Sequence, residues 1–339
     1  MFQSKNKFSQ KIVSLVSTIM GVGSTLLLTN VASASTLKVE VTNVGPVNGM
    51  ALAQTWFGIH DGSFDLFDAG EAASRPIEIL AEDGFTGLEA RVPGVVDIIQ
   101  RINLNLPAVS PELQDAIDNG EDLSTFIPDN TIAGEFNSIA AANGGVQDIL
   151  FPFSASPRFF ILLQSGESLS KTVHVDDPST NRFFSYAAML FPTNDAFIAN
   201  DDPEEIEIFD DRGNFIGADI LISGDQVWDG GTEVNDERQD SAPFLPQFFG
   251  ITQEEENGVI HPFPRNSFKL PGEGGFVDFE FPPGTQFFEN ADFTRQTAPL
   301  FRVRVTQVVV PEPNSAKSLL AVGSLFLFGA VGRWFKRYR

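Results

Sequence analysis

Apolar and polar residues alternate along most of the chain between residues 35 and 310. In LKVEVTNV (37–44), Leu37, Val39 and Val41 share one side, the period-two pattern of a half-buried strand. Trp56, Phe57 and Ile59 mark a second strand that runs into an acidic, glycine-bearing loop, HDGSFDLFDAGEAAS. The alternation resumes at PRFFILLQSGESLSKTVHV, read as an apolar strand, a Ser-Gly-Glu turn and a strand over 169–175. FFSYAAMLFP (183–192) is apolar at both parities and predicts a strand buried on both faces. GFVDFEF (275–281) and LFRVRVTQV (300–308) alternate again. Residues 84–150 read as helix and loop, with short helices predicted over 95–102 and from the Ser110-Pro111-Glu112 start to Asn119-Gly120. Many short strands with few helices predict an all-β fold, an antiparallel β-sandwich with a short helical insertion.

The two ends do not fit that pattern. Residues 1–34 carry Lys5, Lys7 and Lys11, an apolar run over 12–28 and an Ala-x-Ala site ending at Ala34. This order is that of a cleaved secretory signal peptide, with an uncleaved anchor as the alternative. At the other end Pro311, Glu312 and Pro313 precede an apolar segment over 319–331 and the basic residues Arg333, Lys336, Arg337 and Arg339. That predicts a C-terminal membrane helix of marginal length, with the basic tail held in the cytoplasm. Residues 311–339 resemble the PEP-CTERM sorting signal; a plain C-terminal anchor has the same hydropathy. The resemblance implies recognition by an exosortase-type processing enzyme, transient membrane anchoring, and a cell surface rich in exopolysaccharide.

Composition narrows the function classes. The 339 residues hold 45 Asp and Glu against 22 Lys and Arg, a formal net charge of −23, with no cysteine and 33 Phe. Eight of the basic residues lie in the two terminal segments, so the part between them is more acidic still. Such a surface repels nucleic acid and attracts divalent cations, which excludes DNA or RNA as an expected partner. Without cysteine an exported domain is stabilised by its core or by bound metal rather than by disulfides. No Gly-x-Ser-x-Gly or His-Glu-x-x-His motif is present, and the three histidines, His60, His174 and His261, accompany no nucleophile motif. Trp56 and Trp228 are candidate sugar-stacking residues or core residues.

Candidate chemistry concentrates between Met189 and Asp236. Asp195 in PTND follows the doubly buried strand, and Asp229 in WDGGTE precedes Gly230 and Gly231, which free the backbone to turn a carbonyl inward. Calcium takes six to eight oxygens from carboxylates and carbonyls on adaptable loops, and acids at neighbouring strand ends supply them. The alternative is that both aspartates cap turns. Asp61, Asp65, Asp68 and Glu71 form a second acidic loop that lacks the EF-hand glycine and glutamate positions.

Taken together, HDGSFDLFDAGEAAS, AEDGF, MLFPTNDAF, WDGGTEVND and FRVRVTQV resemble bacterial spondin-domain proteins over most of residues 37–308, with a departure at 93–137 that reads as an insertion. The resemblance implies one spondin-like β-sandwich over residues 35–310, one bound Ca2+, and a role in adhesion or matrix rather than catalysis. It places ligands at Asp195, Asp229 and Glu233, with Asp176 or Asp177 as the nearest match to a third site. The expected partner is an acidic exopolysaccharide or another surface protein. The competing expectation is a polysaccharide-active enzyme using a carboxylate pair.

Overall fold

Strand β1 (Ser35–Asn43) alternates buried and half-buried residues along its whole length, as its sequence pattern predicts. The protein's structure, a computed structural model, describes residues 34–92, 119, 127–152, 162–234, 255–263, 288, 290–291 and 297–308. Along those residues follow β2 (Ala51–Leu52), β3 (Thr55–His60), α1 (Arg75–Asp83), α2 (Ile132–Ile139), β4 (Val146–Leu150) and β5 (Ser168–Val175). Then come β6 (Phe183–Phe191), β7 (Ala196–Ala199), β8 (Ala218–Ser223), β9 (Val227–Asp229), β10 (His261–Pro262) and β11 (Pro299–Gln307). The predicted signal peptide, both predicted helices over 95–102 and 110–120, the strand over 275–281 and the sorting signal lie almost wholly outside the described residues. Among the described residues no helix is long and apolar enough to cross a membrane.

Among the described residues the strands form two antiparallel sheets. One is ordered β5-β1-β11-β8; the other is ordered β10-β9-β7-β6-β3-β4, with β2 paired to β6. Their facing sides share one core, in which Leu37, Val39, Phe301 and Val303 of the small sheet meet Phe57, Phe184 and their neighbours of the large one. The all-β, sandwich-like reading therefore holds at this level.

The large sheet is buried on its other face as well. Trp56, Ala187 and Phe197 point into a second core closed by Ile77 and Leu80 of α1, Ile132 and Phe136 of α2, and Phe64. This explains the unbroken apolar run of β6, all nine of whose residues are buried. Helix α1 was not visible in the strand-and-loop reading of the sequence. Its start follows Ser74 with a proline in the first turn, its apolar residues sit at i, i+3 and i+4 (Ile77, Leu80, Ala81), and it ends on Gly84 at φ 64. Part of the expected insertion, α2, is not an excursion either: Thr131 caps it through Gly134 N, and its apolar side roofs β3.

Candidate metal centre

The turn from β6 to β7 is set by its polar residues. Thr193 Oγ1 donates to Leu190 O and accepts from Ala196 N at 3.2 Å, while Asn194 Nδ2 donates to Val234 O at 3.0 Å. Asp195 is thereby held inside the protein, 0 % exposed. Its Oδ2 accepts from Thr232 N (2.9 Å), Glu233 N (3.0 Å) and Thr232 Oγ1 (3.2 Å). Its Oδ1 is buried with no hydrogen-bond partner among the described residues. A buried carboxylate oxygen left without a donor costs desolvation free energy.

Asp229 ends β9 opposite Ala196 and is likewise 0 % exposed. Its Oδ1 accepts from Gly231 N at 2.9 Å, and Gly230 N donates to Asp195 O at 3.0 Å. Gly231 is required by space and by conformation, and Gly230 leaves little room for a side chain. A Cβ on Gly231, at φ +63, would stand 2.5 Å from Val259 O, and one on Gly230 would stand 3.0 Å from Asp195 O. Burial raises the pKa of Asp195, and the Asp229 charge beside it raises it further.

Glu82, half-buried in the last turn of α1, has its pKa pushed up to about 7, chiefly by burial, with the charges of Glu78, Asp83 and Asp195 adding to the rise. Sequence reasoning missed Glu82. Its only signal was the AEDG end of a helix, and more than a hundred residues separate it from Asp195.

Of the other expected ligands, Glu233 is at the centre through its backbone N–H on Asp195. Asp176 is not. Its side chain is 94 % exposed and lies 3.4 Å from His174 Nε2, while the Asp177 carboxylate is taken up by Ser179 and Thr180. Both precede β6, whereas Asp195 follows it; at about 3.3 Å per residue the strand separates them by ~27 Å. This corrects the placement of Asp176: a strand buried end to end cannot bring its two flanking loops together. Among the described residues no group of three or more His, Asp or Glu side chains is arranged to hold a metal ion.

The remaining candidates have structural partners. Asp61 accepts from Ser63 N and from Asn143 Nδ2 at 2.8 Å, and Asp65 lies near Asp68, Asp201 and Asp202, its pKa raised first by burial and then by those charges. His60 accepts from Gly62 N through Nδ1, so Nε2 carries the proton toward Ser185 Oγ at 2.9 Å. Burial lowers its pKa to about 4, with Asp61 opposing, which leaves a neutral imidazole whose acceptor nitrogen is already occupied. Trp56 Nε1 donates to Gln147 Oε1 (2.7 Å) and Trp228 Nε1 to Ala199 O (3.2 Å), with Phe67 packed edge-on to Trp228. Both indoles are committed to the protein's own packing. No family model matches the chain, and no curated protein matches it.

Proposed function

We propose that this is an exported, non-catalytic calcium-binding protein of the cell surface or extracellular matrix, with Asp195 and Asp229 as the core of its Ca2+ site. The observation that carries the reading is the pair itself: two carboxylates on adjacent strand ends, both fully buried, one with an oxygen that no donor meets among the described residues. Two such charges are tolerated together only with a shared proton or a bound cation. Asp195 Oδ1 and the Asp229 carboxylate would hold the ion, and Glu233 and Thr232 would orient Asp195 through their N–H groups. When bound, Ca2+ would supply positive charge to the buried pair and pin the β6–β7 and β9 turns to one another.

Full burial of the pair favours binding over catalysis, since a glycan substrate needs its carboxylates at an open groove. Export, sorting through Pro311, Glu312 and Pro313 by an exosortase-type enzyme, and an acidic exopolysaccharide or surface-protein partner rest on the sequence patterns at the two ends and on the strongly acidic composition. The test is calcium titration of the chelated protein followed by thermal melting and calorimetry. A melting temperature that climbs with calcium over roughly 10⁻⁴ to 10⁻³ M is expected; no shift at about 10 mM would sink the reading. A glycan array with and without calcium, combined with product analysis, then separates adhesion from turnover.

A further inference from the structure

We infer that the outer face of the small sheet, centred on Arg304, docks a carboxylate-bearing polysaccharide. The inference rests on the acidic-polysaccharide partner proposed above and assigns it a face; it does not depend on the calcium site.

Strand register builds the surface. Leu37, Val39 and Val41 of β1 and Val303 and Val305 of β11 enter the core, so Lys38, Glu40 and Thr42 and, beside them, Thr306, Arg304 and Arg302 point the other way. Strands β5 and β8 extend these positions into rows: Ser170, Glu40, Arg304 and Asp219 lie side by side, with Thr172 beside Lys38 in one flanking row and Ser168 beside Thr42 in the other. The outer face of the large sheet is covered by α1 and α2, whereas here the side chains of Lys38, Arg302, Arg304 and Asp219 are 40–48 % exposed.

Charge sets this face apart from a chain whose formal net charge is −23. Lys38, Arg302 and Arg304 stand against Glu40 and Asp219, which leaves one positive charge over. Lys38 pairs with Glu40, and Arg302 takes both oxygens of Asp219 at 2.6 and 2.5 Å. Arg304 is left 3.7 Å from that same carboxylate, and its Nε has no hydrogen-bond partner among the described residues. An incoming carboxylate supplies the planar, charged acceptor that this half-exposed guanidinium lacks. Around it stand hydroxyls. Ser168, Ser170 and Thr172 are exposed on β5, and Thr42 Oγ1 meets Ser168 Oγ at 2.8 Å, a pair that keeps acceptor sites and one donor for a further partner. No aromatic ring lies in these rows, and Leu221, beside Arg302, is their one exposed large apolar side chain, so the face lacks the apolar anchors on which a protein partner depends. A single surplus charge is too few for the phosphate density of nucleic acid. Hydroxyls around one sparse positive charge match a sugar polymer, its ring hydroxyls meeting Ser and Thr and its carboxylate meeting Arg304.

The experiment measures binding of polygalacturonate to the full chain by calorimetry, in chelator at low salt, with melting temperatures recorded alongside. It compares the native protein with Arg304→Gln, Thr172→Glu and Arg212→Gln. Arg212 is 82 % exposed in a turn away from this face, so Arg212→Gln makes the same change in net charge elsewhere. The expected result is an affinity about tenfold weaker in Arg304→Gln and in Thr172→Glu, within about twofold of native in Arg212→Gln, and no binding to neutral dextran. Should one of the first two melt early, the other still reads the face. Native affinity in either variant that keeps the native melting temperature would overturn the assignment, and so would an equal loss in Arg304→Gln and Arg212→Gln. Poly-glutamate bound as tightly as polygalacturonate, with the same dependence on Arg304, would replace the sugar by an acidic polypeptide and overturn the inference as stated. Binding that appears only with calcium and is unchanged in Arg304→Gln would overturn this face and leave the polysaccharide partner standing. No binding by the native protein, with or without calcium, overturns both.

Discussion

The large sheet carries carboxylates at both ends, and the two ends use them in opposite ways. Where β3 and β7 finish and β6 begins, the acids are mostly exposed and bond to their own turns: Asp61 to Ser63, Asp177 to Ser179 and Thr180, Asp202 to Glu204 N, and Asp210 to Arg212 and Asn214. These are aspartates closing Asx turns: burial is the largest single influence on Asp61 and raises its pKa, but the hydrogen bonds from Ser63 and Asn143 together lower it, and in Asp177 the bonds from Ser179 and Thr180 lead and lower it. At the other end Asp195 and Asp229 are fully buried beside the Gly230-Gly231 turn, and burial drives the pKa of Asp195 up. Chemically identical groups thus cap turns where water reaches them and become candidate ligands where it does not.

The strongest way to break this contrast is to open the buried end. Leu80→Ala removes a fully buried α1 side chain and should cost about 2–5 kcal/mol in urea or thermal unfolding, and it should bring the carboxylates of the Asp195 end back toward the ordinary range as water enters. A loss below about 1 kcal/mol would mean that α1 does not seal this end.

Calcium should sharpen the contrast next. At about 10 mM, linkage gives ~1.4–2.7 kcal/mol for a dissociation constant of roughly 10⁻³ to 10⁻⁴ M. Asp195→Ala should erase that gain while Asp177→Ala leaves it intact; equal calcium responses in the two variants would remove the distinction between the ends.

The pH dependence of the chelated protein follows. Glu82 and Asp195 have folded pKa values raised above the ordinary carboxylate range, so the native state holds protons that the unfolded chain releases. Stability should therefore rise as pH falls from about 8 toward 6.5, and saturating calcium should flatten or reverse that slope. His60 acts oppositely, because its folded value near 4 lies below the ordinary 6.5: the stability it contributes is present above 6.5 and is lost as pH falls toward 4. The rise should accordingly slacken below 6.5, as urea midpoints at half-unit pH steps would show.

The smallest effect belongs to the exposed end. Asp177→Ala removes bonds to Ser179 and Thr180 in full contact with water and should cost no more than about 1 kcal/mol, with or without calcium.

Sequence periodicity was enough to place β1, β3, β5, β6 and β11, because each alternates or is apolar throughout and the pleat translates that directly into faces. It also found Asp195 and Asp229, each standing between an apolar strand and a turn residue. It did not find α1, whose nine residues hold too few apolar positions to stand out, and so it missed Glu82. It named Asp176 because the spondin resemblance implies a third acid on the strand or loop before MLFP, where Asp176 or Asp177 is the nearest match. The sequence by itself determined which residues are apolar, which strands are buried on two faces and which turns carry acids. Only the tertiary structure decided which acids lose water, since that depends on α1 packing against β6 and β7 and on β9 lying beside β7, contacts between segments far apart in the chain.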